Sequence, residues 1–253
     1  MRIAIFSVIT LTAALMAPPA SAAGVQRYQG DASDAAGRVL YREVHYLYEQ
    51  GGAPRRLVLY RCPDGKAFAR KTVTGGGATP NFAFVDGRDG YEEGVEGSGA
   101  QRQVYWRESQ GKPVKRKAVQ AGGSRVFDAG FDAMVRRNWA SLSAGKSVSA
   151  DFLIPSRLRT LGLSLQGQRE GDMLKLQMRP AAWYGFAVPP IRLSYRLSDK
   201  WLSRFSGIGT IRDGAGRNRS VQIDFPASAL KSGIGAAELE SARDAPLVGR
   251  CAA

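Results

Sequence analysis

The chain has 253 residues, 44% of them hydrophobic, enough to bury a full core without an obligatory covalent staple. Lysine and arginine total 36 against 22 acids, a formal net charge of +14, with one histidine and two cysteines. Ser-His-Asp, Cys-His and zinc arrangements would therefore all depend on His45, and no G-x-S-x-G elbow is present.

Residues 1–22 read as a cleavable export signal. Arg2 supplies the positive start, residues 3–17 are an apolar run, Pro18 and Pro19 end it, and Ala20-Ser21-Ala22 places small residues at the cut. The run is too short to span a bilayer, no second one follows, and no cysteine follows the cut to take a lipid anchor. The expected product is a soluble periplasmic protein beginning at Ala23, a single β-rich domain over residues 23–253, with Gly122-Gly123 as the alternative break. Export also redirects the charge. In a cytoplasmic chain it would point to phosphate backbones, but outside the inner membrane the polyanions are lipid head groups, lipopolysaccharide and wall polymers. No nucleic-acid partner is expected, and a basic surface that merely keeps the protein soluble is the alternative.

Residues 24–37 are small and polar and read as a loose leading segment. Residues 38–48 are dense in β-branched and aromatic side chains and predict a strand. Gln50-Gly51-Gly52 turns the chain into a returning strand over 56–62, and Pro63-Asp64-Gly65 turns it again into 68–73. Further strands are expected over 82–85, 104–107 and 115–119. Phe127, Phe131, Met134, Val135, Trp139 and Leu142 recur at helical spacing and predict one amphipathic helix. Asp128 and Asp132 suit its start, and Gly145 marks its end. Strands then resume over 148–154, 161–166, 174–179, 191–197, 201–211 and 220–225, with alanine-rich helical turns over 227–243. The expected fold is mainly β with some α: a curved antiparallel sheet or incomplete β-barrel closed over one main amphipathic helix.

Cys62 and Cys251 predict a disulfide in an oxidising compartment, tying the C-terminus to an early strand, with two separate thiols as the alternative. Cys62-Pro63-Asp64-Gly65 lacks the second cysteine of a redox C-x-x-C motif. His45, mid-strand, reads as a hydrogen-bonded structural residue. Asp86, Asp89, Glu92, Glu93 and Glu96 read as a solvated loop or internal salt bridges, because their spacing is not that of a calcium loop. Lys112, Lys115, Arg116 and Lys117 read as a charged hairpin arm. Gly207-Ile208-Gly209 opens no dinucleotide fingerprint. No metal and no cofactor are expected.

Aromatic residues spread over most strands, which fits an ordinary core or a concave face holding an apolar ligand. Trp183, Tyr184 and Phe186, in an apolar loop ending at Pro189-Pro190, are the candidate mouth. Arg157, Arg159 and Arg192 are the candidate partners of an acidic head group. Residues 201–225, with Leu202, an alternating strand to Ile211, Asp213 and Gly216, then Val221, Ile223 and Phe225, resemble the C-terminal hairpin of the periplasmic lipoprotein-carrier superfamily. The chain also resembles exported Gram-negative proteins of unassigned function. The carrier resemblance implies an incomplete β-barrel closed over helices and an acyl ligand. The expected function is a non-enzymatic protein binding or carrying a lipid or other amphiphile. The alternative is an envelope-assembly protein whose basic surface docks on an anionic envelope polymer or a partner protein.

Overall fold

The computed structural model describes residues 24–252, apart from the side chains of Tyr184 and Phe186. The export signal read from residues 1–22 lies outside the described residues. The first half of the chain is a run of strands: β1 (Val25–Ser33), β2 (Val39–Gln50), β3 (Ala53–Arg61), β4 (Ala67–Thr74), β5 (Asn81–Asp86), β6 (Tyr91–Glu96), β7 (Gln101–Arg107) and β8 (Lys115–Gln120). A two-residue β9 (Arg125–Val126) leads into helices α1 (Gly130–Arg137) and α2 (Trp139–Ser143). The second half runs through β10 (Val148–Ile154), β11 (Arg159–Glu170), β12 (Met173–Pro180), β13 (Ile191–Arg196), β14 (Leu202–Arg212) and β15 (Asn218–Asp224). The chain finishes with β16 (Lys231–Ile234) and helix α3 (Ala236–Asp244).

All sixteen strands belong to one sheet. Its first half is a meander from β1 to β8 and its second a meander from β10 to β15, each joined by the turns that glycine, asparagine and aspartate favour. The two meanders meet where β1 pairs antiparallel with β15, Asp31 opposite Asp224. Every pairing is antiparallel except that of β9 with β10. The result is a nearly closed barrel with few helices. Its two ends are brought together by packing rather than by a strand ladder. Phe127 and Leu153 from the second half insert among Val73, Phe82, Val95 and Val104 of the first, and the Phe127 amide donates to the Ala78 carbonyl at 2.9 Å. Burying six such side chains in one cluster is a strong apolar seam. No helix among the described residues is long and apolar enough to cross a membrane.

Several expectations are corrected here. Residues 24–37 are not a loose leader, for Val25–Ser33 is the strand that joins both halves of the sheet. Its Tyr28-x-Gly30-x-Ala32 face carries two small residues, so the apolar alternation that announces a strand is muted. Gly30 is required there, because a Cβ would lie 2.5 Å from the Phe225 ring. The acidic stretch is likewise a strand for half its length. Tyr91, Glu93 and Val95 alternate inward on β6, while Glu92 and Glu96 face out to Arg107 and Arg116. Asp86 pairs with Arg88 at 2.6 Å and Asp89 pairs with Arg212, so the cluster resolves into internal salt bridges.

The single long helix is two short ones. Phe127 precedes them in an extended approach, and the chain breaks at Asn138, whose side chain donates to the Met134 carbonyl at 2.9 Å. Gly145 (φ 75°) does end the second helix. Gly167 lets α2 sit against β11, since a Cβ there would meet the Leu142 carbonyl oxygen at 2.3 Å. Cys62 and Cys251 form a disulfide across a sequence separation of 189 residues. Such a bond persists in oxidising compartments. The C-terminal segment it secures also runs along β4, with the Val248 amide donating to the Ala67 carbonyl at 2.8 Å.

Candidate functional site

Between the two halves of the barrel lies a cavity of about 930 Å³, within the size range of small-molecule sites. Its walls differ in chemistry. The β10–β14 side is apolar, with Leu161, Leu163, Met178, Ile191, Leu193 and Phe205 facing in. The β1–β6 side carries charge, because polar residues occupy inward positions that strand alternation would normally give to the core.

Register shows how that polar side is built. One row of directly opposed residues crosses β1 to β7 in the order Tyr28, His45, Val58, Lys71, Phe84, Glu93 and Trp106. His45 stacks on Tyr28 with ring centroids 4.4 Å apart, and its Nε2 lies 3.1 Å from Glu43 Oε2. The expected hydrogen-bonded histidine is therefore present, though it also faces the cavity. Burial holds the His45 ring below its ordinary value, outweighing the Glu43 partner, so the neutral form is favoured. Lys71 donates to Asp128 Oδ1 at 2.6 Å, tying the sheet to the residue that leads into α1. Tyr91 donates to Glu93 at 2.5 Å, while burial pushes the Glu93 carboxyl above its ordinary range.

Helix α1 completes this wall. Asp132 and Arg136 face the cavity and pair one turn apart at 2.8 Å, while Met134 and Val135 pack into the core behind. Tyr195 lines the cavity from the apolar side, and burial, with Asp132 nearby, pushes its hydroxyl well above its ordinary value. Among the described residues, two polar atoms of the site are buried without a hydrogen-bond partner, His45 Nδ1 and Asp128 Oδ2. No group of three or more His, Cys, Asp or Glu side chains among the described residues could hold a metal ion.

The candidate residues named from sequence lie outside this wall. Arg157 and Arg159 are exposed next to Pro155 and Ser156, which do line the cavity. Arg192 lies between the lining residues Ile191 and Leu193 and therefore points to the outer face of β13. Trp183 is 85% exposed, on a loop whose ends, Pro180 and Pro189, reach the cavity edge. Tyr184 and Phe186 lie in the same turn. What sequence reasoning missed is the polar row itself. Its one visible signal was charge at inward positions of otherwise apolar strands: Glu43 and His45 on β2, Arg56 on β3, and Lys71 on β4.

No family model matches the chain, and no curated protein does. Among solved structures the chain is similar to a beta-barrel-like protein of a domain of unknown function, DUF1849, from Brucella abortus. The two share 9% identity over 84% of this chain and 99% of that one, with a TM-score of 0.44.

Proposed function

We propose that the protein is a non-enzymatic periplasmic carrier that holds an amphiphile in its barrel cavity. The observation that supports this most is the asymmetry of the 930 Å³ cavity, apolar along β10–β14 and charged along β1–β4 and α1. An acyl chain laid on the apolar wall loses its water there, gaining roughly 0.8 kcal/mol for each methylene buried. The head group then meets groups able to hydrogen-bond it. The disulfide fits the oxidising compartment that this role requires. Arg157, Arg159 and Arg192, on the outside of lining elements, can serve the approach of an acidic head group but not its seat. The loop bearing Trp183 supplies an apolar edge to the mouth.

Native mass spectrometry of delipidated protein mixed with a fatty acid or a phospholipid tests the proposal. A stoichiometric adduct supports it, and the absence of any adduct refutes it. A second reading, docking on an anionic envelope polymer or partner protein, is favoured by β8, whose Lys115, Arg116 and Lys117 are exposed at the edge of the sheet. Salt-sensitive capture of such a partner by lipid-free protein would support that second reading.

A further inference from the structure

We infer that Arg56 and Tyr28 form the seat for a carboxylate head group, so that the ligand is a single-chain fatty acid. This rests on the cavity being a lipid site and adds which chemistry it selects. Arg56 is out of place where it stands. The row next to the polar one reads Gln26, Leu47, Arg56, Val73, Phe82, Val95 and Val104 across β1 to β7, so Arg56 is its only charge. Its side chain reaches the cavity, yet among the described residues it has no hydrogen bond or ion pair.

The other cavity cations are engaged. Lys71 holds Asp128, Arg136 holds Asp132, and Arg179 donates to the Val188 carbonyl at 2.9 Å. Burial disfavours the Arg56 charge, while the carboxylates of Asp132 and Asp128 nearby favour it, so the guanidinium stays charged. A charge kept in a half-buried site without a partner is costly unless something in the hollow answers it. Tyr28 adds a second donor. Its ring is fixed by stacking on His45 and by edge contacts with Trp201 and Phe225 at 4.8 and 5.7 Å. Its hydroxyl also reaches the cavity and makes no hydrogen bond with another residue.

A planar guanidinium and a phenol lining one cavity match the two oxygens of a carboxylate. The charge count sets the valence. Asp128 and Asp132 are held in ion pairs by Lys71 and Arg136, so Arg56 brings a single positive charge outside any ion pair, which favours a carboxylate over a doubly charged phosphate. The apolar wall of β10–β14 then takes the chain.

The test compares three probes with one tail: oleate, oleyl phosphate and methyl oleate. Affinities are measured by calorimetry on delipidated wild type, Arg56→Gln, Arg56→Lys and Tyr28→Phe, with folding of each checked by circular dichroism. Wild type is expected to prefer oleate. Arg56→Gln should weaken oleate roughly ten- to hundredfold and leave methyl oleate unchanged. Arg56→Lys should recover part of the loss, and Tyr28→Phe should cost about two- to tenfold. Equal affinity of wild type for oleate and methyl oleate, or oleate binding unaffected by Arg56→Gln, overturns the carboxylate seat while leaving the cavity as a lipid site. Tighter binding of oleyl phosphate than of oleate overturns the choice of head group. Failure of all three probes to bind the folded wild type removes both the seat and the lipid site beneath it.

Discussion

Replacing Lys71 with methionine keeps the length of the side chain and removes its charge. The Lys71 and Asp128 side chains are 7% and 16% exposed and lie 2.6 Å apart, so the variant leaves a carboxylate in the barrel interior without its ion-pair partner. Asp128 Oδ2 already lacks a partner, and after the change Oδ1 would lack its own as well. Breaking a buried pair this way costs roughly 3–5 kcal/mol. For a chain of this size each kcal/mol lowers Tm by about 2–4 °C, which gives a fall of roughly 6–20 °C. Adding Asp128→Asn removes the stranded charge, and asparagine tolerates the positive φ of 40° at that position. The double variant should therefore recover more than half of the loss. Urea denaturation followed by circular dichroism on wild type, both singles and the double closes the cycle. A loss under about 1 kcal/mol for Lys71→Met, the range of an exposed pair, would refute the assignment of a buried ion pair. So would a double variant as unstable as the sum of the singles.

Removing the disulfide with Cys62→Ala and Cys251→Ala should cost up to about 5 kcal/mol by loop-closure entropy, because the bond spans 189 residues. Part of that loss should be spared by the Val248–Ala67 hydrogen bond and the burial of Leu239 on α3, and a Tm within 2 °C of wild type by scanning calorimetry, about the smallest shift a 1 kcal/mol loss gives at this size, would contradict the constraint. Gly30→Val should lower stability by roughly 1–3 kcal/mol in the same assay, since its Cβ would stand 2.5 Å from the Phe225 ring. Stability should also respond to pH through two buried groups with opposite signs. His45 is held below its ordinary 6.5 by burial, so its contribution is present above that pH and is lost as pH falls through the lower folded value. Glu93 is pushed above its ordinary 4.5, so its contribution is full below that pH and is lost as pH rises through the folded value. His45→Phe should flatten the acid side of the profile, and Glu93→Gln should raise stability at neutral pH. Unchanged profiles in both variants would show that neither group titrates as described.

The strands that sequence announced are those in which large apolar residues alternate without interruption, such as Val44–Tyr46–Tyr48 on β2 and Leu163–Leu165 on β11. β1 escaped notice because its inward face reads Tyr28, Gly30, Ala32, and its stability comes from its pairing with β2, β15 and β16 rather than from its own propensity. β6 was hidden by glutamates that register divides between an inner and an outer face. The helical periodicity of residues 127–142 was real as a record of burial, but Asn138 interrupts the backbone that would have carried it. The cysteine pair was legible because only one pairing existed. The site was not. Tyr28 and Lys71 carry no motif of their own, and only the registers of β1 to β6 align them with His45 and Glu93 in one row. Of the rim arginines, Arg157 and Arg159 stand exposed beside lining residues and Arg192 misses the inner face of β13 by a single residue.

The position of β1 has a consequence for how the molecule comes together. Its pairing with β2 is local and can form as soon as a short turn is made, whereas its other edge waits for β15 at the far end of the chain. A chain threaded N-terminus first would hold that edge open until nearly all of its length had been delivered, exposing unpaired amides to any passing strand. Joining the two meanders is then a late, long-range event that sets the pace of assembly.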